Sequence, residues 1–165
     1  MEPYDKLFEN LKYDPEEKKP EAVVWQAPRR DVVPGETPLR DDGIYCLVDQ
    51  NPDGSIYCYM CLRFYPRLRQ VIENSFDTLP APGLFTLADG RFRRAAYQRT
   101  GDSLHFENVS PYGRVEYHGT IREDRLLIHR HSYINGRDFP NCEYVFMSDE
   151  EVRQALKKNP PWGAD

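Results

Sequence analysis

Between Gly43 and Met147 apolar and polar positions alternate with period two, the spacing that puts one set of side chains on each face of a β-strand. The clearest case is Ser103 to Ser132. As three antiparallel strands joined at Ser110-Pro111-Tyr112-Gly113 and at Glu123-Asp124, this stretch gathers Leu104, Phe106, Val115, Tyr117, Ile121, Leu126 and Ile128 on one face. The other face then carries all four histidines of the chain. His105 lies opposite His118, His118 opposite His129, and His131 two residues along from His129. Upstream, GIYCLVDQ and SIYCYMCLRFY flank Asn51-Pro52-Asp53-Gly54, a turn in which Pro presets φ and Gly accepts a positive φ. In the second strand Ile56, Cys58, Met60, Leu62 and Phe64 form the expected core face, with Tyr57, Tyr59, Cys61, Arg63 and Tyr65 on the other.

Pro66 ends that strand. A short amphipathic stretch is expected from Arg67 to Glu73, a loop from Asn74 to Pro82, and another strand from Arg91 to Gln98 that turns at Thr100-Gly101-Asp102. Asn135-Gly136 marks a further turn ahead of a strand over Cys142 to Met147. The period then changes. Ser148 with Glu151 three residues on is a capping box, and Met147 with Val152 a hydrophobic staple. They start a helix from about Asp149 to Lys158, with Val152 and Leu156 as its apolar stripe and Asn159 before Pro160 and Pro161 as its stop. The first 40 residues differ. Leu7 and Leu11 give one helical stripe, Asp14 to Ala22 is charged, and Val23-Val24-Trp25 is the buriable patch, with Trp25 the expected anchor. The organisation expected is a partly irregular arm with a short helix over 1–40, then an all-β domain over 41–165 that ends in a helix.

Hairpins recurring about every 8 to 12 residues match an up-and-down antiparallel barrel of about eight strands, which removes exposed edges by closure. The order GIY, YMCLRFYP, GRF, LHF, VEYHG and EYVF resembles the lipocalin-like (calycin) barrels. A Gly-x-Tyr strand, a hairpin into Leu-Arg-Phe-Tyr-Pro and a later Tyr-x-Gly strand are similar to the small lipocalin-like domain that ends F-box only protein 9. The similarity runs over 43–147, and departs from that pattern at Arg67-Leu68-Arg69, where Asp-Gly would continue it. It implies a fold and transfers no site.

Composition narrows the function classes. With 165 residues, 39% hydrophobic and 13% aromatic, the chain suffices for one core. A net charge of -5, from 22 basic and 27 acidic residues, argues against general nucleic-acid binding, which needs a basic surface. Arg91, Arg93, Arg94 and Arg99 form a local exception, read as a solvated strand edge because Asp89 and Asp102 flank it. No apolar run reaches the roughly 20 residues of a membrane span, and Met1 to Asp5 has no signal-peptide character. Four cysteines in apolar strand contexts favour a reducing cytoplasm.

Candidate chemistry falls in three places. Cys58-Tyr59-Met60-Cys61 has C-x-x-C spacing, but on a strand its sulfurs face opposite ways. Cys46 is expected nearly across from Cys58 or Tyr59, close enough for a disulfide in some registers, and Cys142 has no evident partner. The barrel interior is expected to be lined by Met60, Leu62, Phe64, Phe92, Phe106, Tyr117 and Tyr144, which can clasp a flat apolar ligand or pack on one another. Arg130 interrupts this face, either at the rim or inside a cavity, where it would select an amphipathic anion. Lastly, His118, His129 and His131 can converge from two strands as a tripod that leaves a fourth zinc position open, with Glu116 beside them. Arg114, Thr120 and Arg125 on the same face are what an ordinary outer surface carries. No Gly-x-Ser-x-Gly or phosphate-cradling loop is present and no cofactor is identified, so a binding module ranks above an enzyme. The leading expectation is a barrel for a small hydrophobic or amphipathic ligand. The alternatives are a protein-interaction domain with a filled core, using the N-terminal arm, the Arg91 to Arg94 edge or the aromatics Tyr57 and Tyr59, and a metal-binding barrel.

Overall fold

Every expected turn between Gly43 and Gly136 reverses the chain, so the alternating segments pair with their sequence neighbours. The structure, a computed structural model, describes residues 36–159. The expected N-terminal helix and the Trp25 anchor lie outside them. The elements are β1 (Gly43–Gln50), β2 (Ile56–Tyr65), β3 (Gln70–Phe76), β4 (Arg93–Thr100), β5 (Ser103–Ser110), β6 (Gly113–Arg122), β7 (Arg125–Ser132), β8 (Asp138–Ser148) and α1 (Asp149–Lys158). All pairings are antiparallel, and β8 returns to β1 to close an up-and-down barrel. The register is the expected one, with His105 opposite His118, His118 opposite His129 and Glu116 opposite His131. Among the described residues no helix is long and apolar enough to cross a membrane.

Two elements differ from the sequence reading. The amphipathic stretch and loop expected over 67–82 contain a full strand, β3, whose Val71 and Ile72 are both buried. Consecutive apolar residues hide a period of two when both sheet faces are covered. Strand β8 begins at Asp138, four residues before the expected start, because Pro140 sits in an irregularity of the β7–β8 register and Asn141 there adopts φ 62°. A bulge tolerates a proline that a regular ladder would not.

The barrel has a core on each side of one wall. Inside lie Tyr45, Leu62, Phe64, Val71, Tyr97, Leu104, Phe106, Tyr117, Ile121, Leu126, Ile128, Tyr144 and Phe146. Outside β1, β2 and β3, a second cluster joins Ile44, Cys46, Val48, Tyr59, Cys61 and Ile72 to Leu79 and Phe85 of the 77–92 loop and to Val152 and Ala155 of α1. Tyr59, expected on an exposed aromatic face, is therefore only 4% exposed, whereas Tyr57 is 65% exposed.

Residues 36–42 cross the barrel end that carries the turns at 66–69, 101–102 and 123–124. Leu39 enters the interior cluster, Thr37 donates to Asp102, and Arg40 donates to Asp124 while stacking 4.0 Å above the Phe146 ring. The helix is fixed by its first turn. Ser148 accepts from the Glu151 amide, the Glu151 side chain accepts from the Ser148 amide, and Arg63 makes a two-pronged ion pair with Asp149 at 2.9 and 3.0 Å. Ser148→Ala removes the cap and is expected to cost about 1 kcal/mol of stability in urea denaturation. An unchanged midpoint would mean that α1 does not contribute to the cooperative unit.

Candidate functional site

The interior divides into two chemically different halves. Toward the plugged end it is an aromatic stack, with Phe64 edge-on to Tyr45 at 5.6 Å, to Tyr97 at 5.5 Å and to Phe106 at 6.2 Å. Edge-to-face aromatics fill space well and leave this half solid. Toward the opposite end, where the loops at 51–55, 77–92, 110–113 and 133–137 lie, the same inward positions turn polar. Glu73 follows Val71 on β3, Asn108 follows Phe106 on β5, and Arg130 follows Ile128 on β7, each two residues on and so on the same face.

These groups meet across the barrel. The Tyr117 hydroxyl of β6 donates to Glu73 Oε2 of β3, two strands that are not neighbours in the sheet. Arg130 Nη1 lies 3.4 Å from Met60 Sδ of β2, and its guanidinium stands 4.4 Å over the Phe139 ring. Among the described residues no carboxylate comes within ion-pair distance of it, although its charge is felt at Glu73, Cys142 and Tyr144. Asn108 is 4% exposed, and neither its amide nitrogen nor its amide oxygen has a hydrogen bond of ordinary geometry among the described residues. It lies near enough to Glu73 to favour that carboxyl's ionised form, as Arg130 does, yet burial outweighs both and pushes the Glu73 pKa up.

Of the expected lining, Met60, Leu62, Phe64, Phe106, Tyr117, Arg130 and Tyr144 face inward. Phe92 does not. It precedes β4 and joins Phe76 and Phe85 at 5.9 and 5.0 Å on the outer wall, beside a surface groove of about 400 Å³ that it lines with Asn74, Phe76, Leu84 and Arg91. Arg91 is held locally by Asp89, and the exposed Arg93 and Arg94 pair with β3 alone while Arg99 pairs with β5 alone, so each part of the run has one unpaired side. Glu73 and Asn108 went unnoticed in the sequence. The second had a signal, a polar residue continuing the Leu104, Phe106 period.

On the outer face of β5, β6 and β7 the four imidazoles form two groups. His129 Nε2 and His131 Nδ1 both contact Asp138 Oδ1, the latter at 3.1 Å, a residue the bulge in β8 delivers. Desolvation raises the Asp138 pKa, but these two histidines more than reverse it and hold the carboxyl below its ordinary range. His105 and His118 stack at 4.4 Å and 25°, with Glu116 Oε2 3.6 Å from His118 Nε2. Burial and the neighbouring His105 hold His118 below the ordinary histidine pKa. Among the described residues, the set whose ligand atoms lie within 4.8 Å of one another is His105, Glu116 and His118. The tripod expected from His118, His129 and His131 is divided between the two groups, because Asp138 draws the last two away.

The cysteines are thiols. Cys46 is directly opposite Cys61, with sulfurs 3.7 Å apart, instead of opposite Cys58 or Tyr59. Burial pushes Cys58, Cys61 and Cys142 up, so none is poised as a thiolate at neutral pH. Cys142 donates to the Phe139 carbonyl.

What fold and sites define is an eight-stranded antiparallel barrel compatible with a lipocalin-like fold, with polar groups in one half of its interior. The chain matches no family model, no curated protein and no solved structure.

A raised folded-state pKa favours the protonated carboxyl, so the contribution of Glu73 is fully present below the unfolded pKa and is lost as pH rises through the folded value. Glu73→Gln keeps the shape and removes the ionisation. Urea denaturation from about pH 4 to about pH 8 is expected to show the variant gaining on the parent as pH rises. Parallel profiles would place Glu73 in water.

Proposed function

We propose that the barrel is a binding protein for a small amphipathic molecule whose polar, anionic head sits among Arg130, Asn108 and Tyr117 and whose apolar part lies along Met60 and Tyr144. What carries this reading is the Asn108 amide, buried on an inward face beside Glu73 and, among the described residues, without a hydrogen bond of ordinary geometry. An amide buried without well-formed hydrogen bonds costs up to about 1 to 3 kcal/mol, a penalty that a bound polar group reduces. Arg130, inward and without a carboxylate partner among the described residues, supplies the charge that selects an anion. Glu73 stays out of conflict with that anion by remaining protonated more readily than an exposed glutamate. Eight strands make a barrel just wide enough to be filled by side chains or to hold one small ligand, and here the aromatic stack takes one half.

A second reading, an interaction domain with a filled core, is supported by that same aromatic stack and by the apolar groove at Phe76, Leu84 and Phe92. Native mass spectrometry of the freshly purified chain, followed by titration with dodecanoate and dodecanol, separates the two. The binding reading expects an extra mass that denaturation releases, and dodecanoate affinity about tenfold weaker in Arg130→Met with dodecanol little changed. No extra mass and no saturable binding of either probe would leave the interaction domain.

A further inference from the structure

We propose that the outer face of β5 and β6 holds a divalent transition-metal site whose ligands are His105, His118 and Glu116. The site is separate from the barrel interior and does not depend on what the interior binds. Three observations carry it. The first is convergence, since one ligand atom from each of the three side chains falls within 4.8 Å of the other two. A tetrahedral ion about 2.0 to 2.1 Å from each nitrogen and oxygen spaces its ligands roughly 3.4 Å apart, so closure needs side-chain movements of about 1 Å. His118 is 36% and Glu116 23% exposed, which gives the ion an approach from solvent.

The second observation is the scaffold. His118 and Glu116 are two residues apart on β6 and point the same way, while His105 stands directly across from His118 on β5. A two-residue step along one strand and one step to its neighbour make a triangle whose backbone positions are set by the sheet ladder. Two imidazoles and a carboxylate leave a fourth position of a tetrahedral ion to water. This donor set suits zinc, copper or nickel and disfavours calcium or magnesium.

The third is the support behind the carboxylate. The Tyr133 hydroxyl donates to Glu116 Oε2 at 3.1 Å, and Tyr133 is itself held by the Arg114 guanidinium 4.2 Å over its ring and by His131 at 4.7 Å. Outer partners of this kind orient a ligand and typically change metal affinity tenfold or more. His129 and His131 are excluded from the donor set because both contact Asp138.

The test is calorimetric titration of zinc chloride into the full chain after treatment with a chelator, with circular dichroism of each variant to confirm the fold. The parent is expected to bind one ion. His118→Ala is expected to abolish binding, while His105→Ala, the isosteric Glu116→Gln and Tyr133→Phe each weaken it about tenfold or more. Substitution of His129 by Ala, which leaves the His131 contact with Tyr133 in place, is expected to keep affinity within about threefold of the parent. Cobalt(II) in place of zinc is expected to show the visible bands of a four-coordinate site, altered in Glu116→Gln. Absence of saturable binding by the parent would overturn the proposal. So would a folded Glu116→Gln that binds like the parent, or loss of binding on removing His129 alone, which would move the site to the other imidazoles.

Discussion

Closure of the barrel rests on a short seam. Only Gly43 to Cys46 of β1 pair with Val145 to Ser148 of β8. A Cβ at Gly43 would fall 2.0 Å from the Met147 carbonyl oxygen and 2.6 Å from the Ser148 Cα, so the two backbones approach more closely there than any side chain allows. The seam is reinforced from outside. Helix α1 starts at the residue after Ser148, the Asp149 amide donates to the Asp42 carbonyl at 2.9 Å, and Val152 and Ala155 pack with Ile44 and Met147. Arg63 reaches from β2 to Asp149, tying the helix to the next strand of the wall. The candidate ligand site depends on this closure because its contacts run across the interior: Tyr117 of β6 with Glu73 of β3, and Arg130 of β7 with Met60 of β2. An open sheet would hold the members of each pair apart.

The wall that closes the barrel is loaded unequally. On β1, β2 and β3 apolar side chains are buried on both faces, inside against the aromatic stack and outside against α1 and the 77–92 loop, which Tyr65 pins through the Leu87 amide at 2.7 Å. On β5, β6 and β7 the outer face instead carries the four imidazoles and carboxylates among other polar and exposed residues. The two candidate sites therefore share a wall without sharing side chains. Tyr117 and Arg130 alternate inward with Glu116, His118, His129 and His131 outward. The plugged end, with Leu39 and Arg40, leaves polar groups concentrated at the other.

The strands whose faces differ in polarity were legible from sequence. Over 103–132 the alternation of apolar residues with His105, Glu116, His118, His129 and His131 fixed both the faces and the register, since a slip of one residue would have buried the histidines. The capping box of α1 was legible because it is local. Strand β3 was not, because Val71-Ile72 has no alternation where both faces are covered. Phe92 was placed inside because an aromatic residue on an alternating run resembles core, whereas packing against Phe76 and Phe85 depends on how the 77–92 loop folds back. The division of the histidines was hidden for a similar reason. Asp138 reaches His129 and His131 only through the irregularity at Pro140-Asn141, which shifts the register by an amount no pattern announces.

In the proposed division of the interior, the polar half is a binding site and the aromatic half is packing. A high-resolution crystal structure of protein taken directly from cells without refolding examines this at the decisive atoms. Density from a bound molecule is expected, extended along Met60 and Tyr144, within hydrogen-bond distance of the Asn108 amide and the Arg130 guanidinium. The division would be contradicted by an interior filled by side chains through both halves, with the Asn108 amide bonded to protein groups alone.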